Sequence, residues 1–156
     1  MGKIKWKILI ACLVITYLAA VVGSLFTTKN VKSDWYDSIK PSITPPNWVF
    51  PVVWNILFFL IALSLYFVWT SKKSVKENKK IIIVYGINFL LNVLWSVLFF
   101  SLKQPRFAFI ELLLLWISTL AMLVVGYRVN KKAFYLLIPY LVWLSFAGIL
   151  NYLAAF

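Results

Sequence analysis

Apolar and charged positions alternate in long blocks along this chain. Five stretches, 8–28, 47–70, 81–102, 106–127 and 133–155, are free or nearly free of charge, and lysines and arginines gather between them. Each stretch reaches the ~20 residues that a helix rising 1.5 Å per residue needs to cross a bilayer core. Strands of a membrane barrel would be about half as long and would alternate in polarity. The expected fold is therefore an all-α membrane protein, a single domain over 1–156 formed by a bundle of five transmembrane helices. The first stretch follows Lys3, Lys5 and Lys7 and could also be a signal peptide with Ala19, Ala20 and Gly23 near a cleavage point. Its apolar core is longer than the ~7 to 15 residues of such a segment, which favours a first span.

Three of the four connections are short and force antiparallel neighbours. The first, over 29–46, is far longer than the ~2 to 8 residues usual between helices of a bundle. It contains S-D-W-Y-D-S-I from Ser33, with a serine able to cap a helix and Trp35 and Ile39 four apart, so a short helical turn on the bundle mouth is expected. The loop then runs into K-P-S-I-T-P-P-N-W-V-F-P-V-V-W from Lys40. The second span can start at Asn47, used as a cap, or at Pro51, where a proline at the first helical position loses nothing. Either start makes the prolines a rigid, irregular rim where the loop enters the membrane.

Charge sets the sidedness. Basic residues number three before the first span, five over 71–80 and three over 128–132, against three over 27–40, two at Lys103 and Arg106 and none at the carboxyl end. Eleven against five puts the amino terminus in the cytoplasm and the carboxyl terminus outside a bacterial cell membrane. Trp6, Trp69, Tyr127 and Tyr135 then fall at the inner interface. The sixteen Lys and Arg against four Asp and Glu do not imply nucleic acid, because the charges sit in loops that face lipid headgroups. The bilayer is the expected partner, and no nucleic acid.

The chain has no histidine and one cysteine, Cys12, inside an apolar run. That removes the commonest metal ligand and general base and any disulfide within the chain. Neither a metal nor a cofactor is expected. Asp34 and Asp37 lie in the loop, and Glu111, the one acid inside a span, is expected to pair with Arg106 at the start of the fourth helix.

Candidate binding residues come from the polar and aromatic positions inside the spans. Asn88, Asn92, Trp95 and Phe99 share one face of the third span, and Trp143, Ala147 and Asn151 one face of the fifth. Amides are costly in hydrocarbon and should face the bundle interior, either bonded between helices or converging on a pocket with Trp54 beneath the long loop.

The segment over 35–58, W-Y-D-S-I-K-P-S-I-T-P-P-N-W-V-F-P-V-V-W-N-I-L-F, resembles the translocator protein family, also known as tryptophan-rich sensory proteins or peripheral-type benzodiazepine receptors. N-F-L-L-N-V-L-W-S-V-L-F-F from Asn88 and P-Y-L-V-W-L-S-F-A-G-I-L-N from Pro139 look like the family's third and fifth helices. The resemblance implies a five-helix bundle with a pocket under the first loop for porphyrins, isoquinoline carboxamide and benzodiazepine drugs and, in animals, cholesterol. It implies a pocket of Trp35, Tyr36, Pro46, Phe50, Trp54, Asn88, Asn92, Trp95, Trp143, Ala147 and Asn151. The final segment, L-N-Y-L-A-A-F, lacks the basic residue of the proposed sterol pattern, so cholesterol does not carry over.

Three functions are open to such a chain. The first is a membrane binding protein or sensor for porphyrins and similar hydrophobic small molecules, with transport as an extension. The second is a light- and oxygen-dependent porphyrin-degrading enzyme that uses Trp54, Trp95 and Trp143 as redox partners, since no conventional catalytic group is available. The third is a membrane scaffold, for which Ala19 and Gly23, and Ala20 and Ser24, offer small residues four apart for a homodimer contact or for close packing within the bundle.

Overall fold

A computed structural model describes residues 4–71 and 75–156, and among them no strand occurs. The elements are α1 (Trp6–Thr27), α2 (Asp34–Ile39), α3 (Val49–Ser71), α4 (Val75–Ser96) running on into a π-helical turn (Val97–Ser101), α5 (Pro105–Val129) and α6 (Lys131–Ala155). Five helices have 22 to 25 residues in apolar spans. At 1.5 Å per residue each is longer than the ~30 Å hydrocarbon core. The chain is a multi-pass integral membrane protein. Of the lysines counted for sidedness, Lys3, Lys72 and Lys73 lie outside the described residues, as does the side chain of Lys76.

The five long helices close into a ring in the order α1, α3, α6, α5, α4, with α4 returning to α1. Ile61, Val68, Leu115, Met122, Leu137 and Leu144 fill its centre and are at most 1% exposed. Lipid meets the outer stripe of α1, formed by Ile10, Val14, Leu18, Val21 and Leu25. The small residues of α1 divide between the two sides: Gly23 is buried against Ser96 of α4, whereas Ser24 is exposed.

Local chemistry fixes the helix ends. α5 opens on Pro105, whose missing N–H costs nothing in a first turn. One residue, Asn130, separates α5 from α6: its Oδ1 accepts from the Lys132 N–H at 2.9 Å, and its Nδ2 donates to Ser71 Oγ at 2.8 Å, tying in the end of α3. The hairpin is tight enough that a Cβ on Gly126 would come within 2.9 Å of the Phe134 nitrogen.

Neither expected start of the second span is the one used. α3 begins at Val49, whose N–H bonds the Pro46 carbonyl at 2.9 Å. Pro51 becomes the third helical residue, still within the first turn where N–H groups have no helical acceptor, so the proline fits without breaking the ladder.

Candidate functional site

The loop between α1 and α3 folds back over one end of the ring. Ser33 caps α2, its Oγ accepting from the Tyr36 N–H at 3.3 Å, and Lys40 closes the helix by pairing with Asp37 at 2.6 Å. Ile39, Trp35 and Tyr36 turn inward. Tyr36 is buried between Phe99, at 6.3 Å between ring centroids, and Phe100, at 5.5 Å. Burial, and then the neighbouring Asp37 carboxylate, push its phenol above the ordinary tyrosine range.

The seat for this lid is the π turn at the end of α4. Its wider turn brings two consecutive residues, Phe99 and Phe100, into the interior, with centroids 4.9 Å apart and both buried. Two residues after the turn, Lys103 is in the left-handed region at φ 52°, which costs a non-glycine residue about 1 to 2 kcal/mol. The Lys103 ammonium stands 5.7 Å over the ring of Trp35, which meets Phe99 edge-on at 5.8 Å.

Below the lid, Trp95 stacks on Phe99 at 5.1 Å and donates its indole N–H to Asn151 Oδ1 at 2.9 Å. Asn151 Nδ2 in turn donates to the Pro105 carbonyl at 2.8 Å, so this amide joins α4, α5 and α6. Trp95 packs against both the lid cluster and the main core of the bundle.

A second aromatic group lies between α3 and α6. Phe50 meets Trp143 edge-on at 5.8 Å; Trp54 lies against Phe58 at 5.4 Å and edge-on to Tyr140 at 6.2 Å. The Tyr140 hydroxyl accepts from Asn92 Nδ2 at 3.0 Å and donates to Asn88 Oδ1 at 3.1 Å. Asn88 Nδ2 reaches Ser118 at 2.8 Å and Thr119 at 3.0 Å. Trp143 Nε1 is buried without an acceptor among the described residues. On the bilayer side of this group an apolar groove of ≈ 600 Å³, lined by Val53, Leu57, Pro139, Val142, Trp143 and Phe146 among others, runs between the two helices.

The candidate residues thus form two neighbouring sets. Trp35, Tyr36, Trp95 and Asn151 gather around the Phe99–Phe100 pair, and Phe50, Trp54, Trp143, Asn88 and Asn92 around Tyr140. Ala147 packs, half-buried, against the main core, and Pro46 is exposed at the rim, joined to the rest through the Val49 turn. Tyr140 was not anticipated. It lies three residues before Trp143 and seven before Ala147, on the stripe already marked by Trp143, Ala147 and Asn151, so its position could have been read by extending that stripe one turn.

The expected pair of Glu111 with Arg106 is not formed. Glu111 is 4% exposed, and neither carboxyl oxygen has a hydrogen-bond partner among the described residues. Arg106 Nε donates to the Ala155 carbonyl at 3.2 Å, and the guanidinium stands 5.4 Å over Phe156. Five residues on one helix are about 140° apart, so one side chain points into the ring while the other stays at its exposed end.

Residues 11–156 match the TspO/MBR family. The chain is 36% identical over 143 residues to the tryptophan-rich protein TspO of Chlorobaculum tepidum, covering 90% of this chain and 89% of that protein. It is 31% identical over 142 residues to the tryptophan-rich sensory protein of Cereibacter sphaeroides, covering 90% and 87%. The translocator protein of Homo sapiens is 36% identical over 137 residues, covering 86% and 80%.

Proposed function

The chain belongs to the TspO/MBR family, and on that premise we propose that it is a membrane binding protein for porphyrins and related flat hydrophobic ligands, isoquinoline carboxamides among them. The ligand is taken up beneath the α2 lid, and transport is an extension of binding. The amino terminus faces the cytoplasm and the carboxyl terminus the outside of a bacterial cell membrane.

The observation that carries the reading is the position of Trp95, which packs against both the lid cluster and the main core. This ring stacks under the lid on Phe99 and also packs against the core that holds Trp54 and Trp143. A flat ligand can exchange these ring-to-ring contacts for contacts with itself at little net change in burial. The Asn92 amide supplies a polar edge, and Lys32, exposed in the loop, a cation for ligand carboxylates at the mouth. Lys40 is less suited to that role because Asp37 holds it. With no histidine in the chain, a metal-free porphyrin suits the site better than a ligated haem.

Titration with metal-free protoporphyrin should quench intrinsic tryptophan fluorescence, and Trp54→Ala should weaken binding by at least the ~0.5 to 1.5 kcal/mol of an aromatic pair. Unchanged affinity in Trp54→Ala and in Asn92→Leu, with the bundle folded, would move the ligand elsewhere. Repeating the titration under light and oxygen tests for turnover. A new absorbing product that diminishes when Trp54, Trp95 or Trp143 is changed to Phe would make the protein a degrader as well as a binder.

A further inference from the structure

At the opposite end of the bundle from the lid, the α5–α6 hairpin encloses a second groove, of ≈ 610 Å³, lined by Leu120, Leu123, Val124, Tyr127, Arg128 and Phe134. Its two ends differ in chemistry. Arg128 sits in the last turn of α5, and Leu120 lies eight residues earlier, about 12 Å deeper at 1.5 Å per residue. The groove is therefore an apolar shaft that descends into the span from a guanidinium at its mouth. Among the residues whose side chains are described, Arg128 has no ion-pair or hydrogen-bond partner. Beside it the Lys131 ammonium stands 5.8 Å over the ring of Tyr127, one of the residues lining the groove.

We propose that this groove binds one anionic phospholipid, with an acyl chain along Leu120, Leu123, Val124 and Phe134 and the phosphate on Arg128 and Lys131. The two halves of the groove select this occupant together. A soluble anion gains nothing from an apolar shaft about 12 Å long, and a zwitterionic lipid sets a cation of its own beside Arg128 and Lys131, which a net-anionic headgroup does not. A guanidinium meets a phosphate in a bidentate fork, and an aromatic ring at headgroup depth is stable beside both. The same end of the bundle carries the basic loops, so it meets the leaflet whose lipids are anionic. This site lies apart from the aromatic array and does not depend on the ligand bound there.

The test is native mass spectrometry of the detergent-solubilised full chain with added phosphatidylglycerol or phosphatidylcholine. Wild type should retain one phosphatidylglycerol in preference to phosphatidylcholine, and Arg128→Gln should cut that preference about fivefold, the worth of one basic residue at an anionic surface. Val124→Trp, which fills the shaft and keeps the charge, should also displace the lipid, whereas Lys29→Gln in the opposite loop should not. Equal retention of the two lipids by wild type would overturn the proposal. So would an equal loss in Lys29→Gln, or loss in Arg128→Gln with full retention in a folded Val124→Trp, which would leave a phosphate contact with no seated chain. If Val124→Trp does not fold, Leu120→Trp makes the same test one turn deeper.

Discussion

Trp95 and Asn151, on α4 and α6, the two helices that flank α5 in the ring, share a hydrogen bond of 2.9 Å that serves two masters: it holds α6 to α4 and it sets the plane of the ring on which Phe99 stacks. Asn151→Leu strands both the Trp95 N–H and the Pro105 carbonyl and should destabilise the bundle by about 1 to 3 kcal/mol, while Trp95→Phe keeps the stack and drops the bond. Interhelical bonds in membranes average about 0.6 kcal/mol, so the double variant should cost less than the sum of the two single ones by about that amount. Equilibrium unfolding in mixed micelles measures this coupling, and strict additivity would mean that the bond contributes nothing.

The lid should be insensitive to pH across the neutral range and loosen in alkali. Tyr36 is held above the ordinary tyrosine pKa, so the folded state favours its neutral phenol. That contribution is fully present below the unfolded value of about 10 and is lost as pH rises through the folded one. Iodide quenching of Trp35, followed in a background where the other lid contacts are intact, should rise only above that range. Tyr36→Phe should remove the alkaline transition, and a transition unchanged by this substitution would assign it to another group.

Two glycines predict opposite signs for the same substitution. Gly126→Ala puts a methyl 2.9 Å from the backbone of Phe134, which cannot step aside, and should destabilise by about 1 to 3 kcal/mol. A Cβ on Gly86 meets nothing within 4 Å, so Gly86→Ala should stabilise α4 by up to about 1 kcal/mol. Thermal unfolding of the two variants side by side reads both signs.

Sidedness follows from the basic loops. Single cysteines at Ser33 and at Lys132, in a Cys12→Ala background, should react with an impermeant maleimide from opposite faces of intact cells, Ser33 from outside. Labelling of both from one face would remove the proposed orientation.

The five spans were legible because the hydrocarbon thickness imposes a similar length on every helix and expels nearly all charge from them. The cap at Ser33 and the inward turn of Asn88, Asn92 and Asn151 were legible for a similar reason, since each follows from spacing within one segment. What could not be read depends on the helix opposite. Asn88 and Asn92 look alike in the sequence, yet Asn88 spends its whole side chain on Ser118, Thr119 and Tyr140, whereas Asn92 is joined to Tyr140 by its Nδ2. Glu111 and Arg106 are close in sequence and carry opposite charges, and only the facing of α5 in the ring separates them. The π turn has no signature in V-L-F-F-S, since nothing in those five residues distinguishes it from a further turn of α-helix.

That turn makes chain length, and not only side-chain identity, a determinant of the lid. A π turn holds about one residue more than the α turn it replaces, so deleting one residue within 97–101 would let α4 finish as ordinary α-helix, with the chain after it keeping nearly the same facing. The shortened span would still cross the bilayer, and α5 would still begin at its proline. Only one ring of the Phe99–Phe100 pair would then point inward at this level, and Tyr36, which now lies between two rings, would rest on one. A single-codon change could thus loosen the cover of the bundle without turning the helices that follow it.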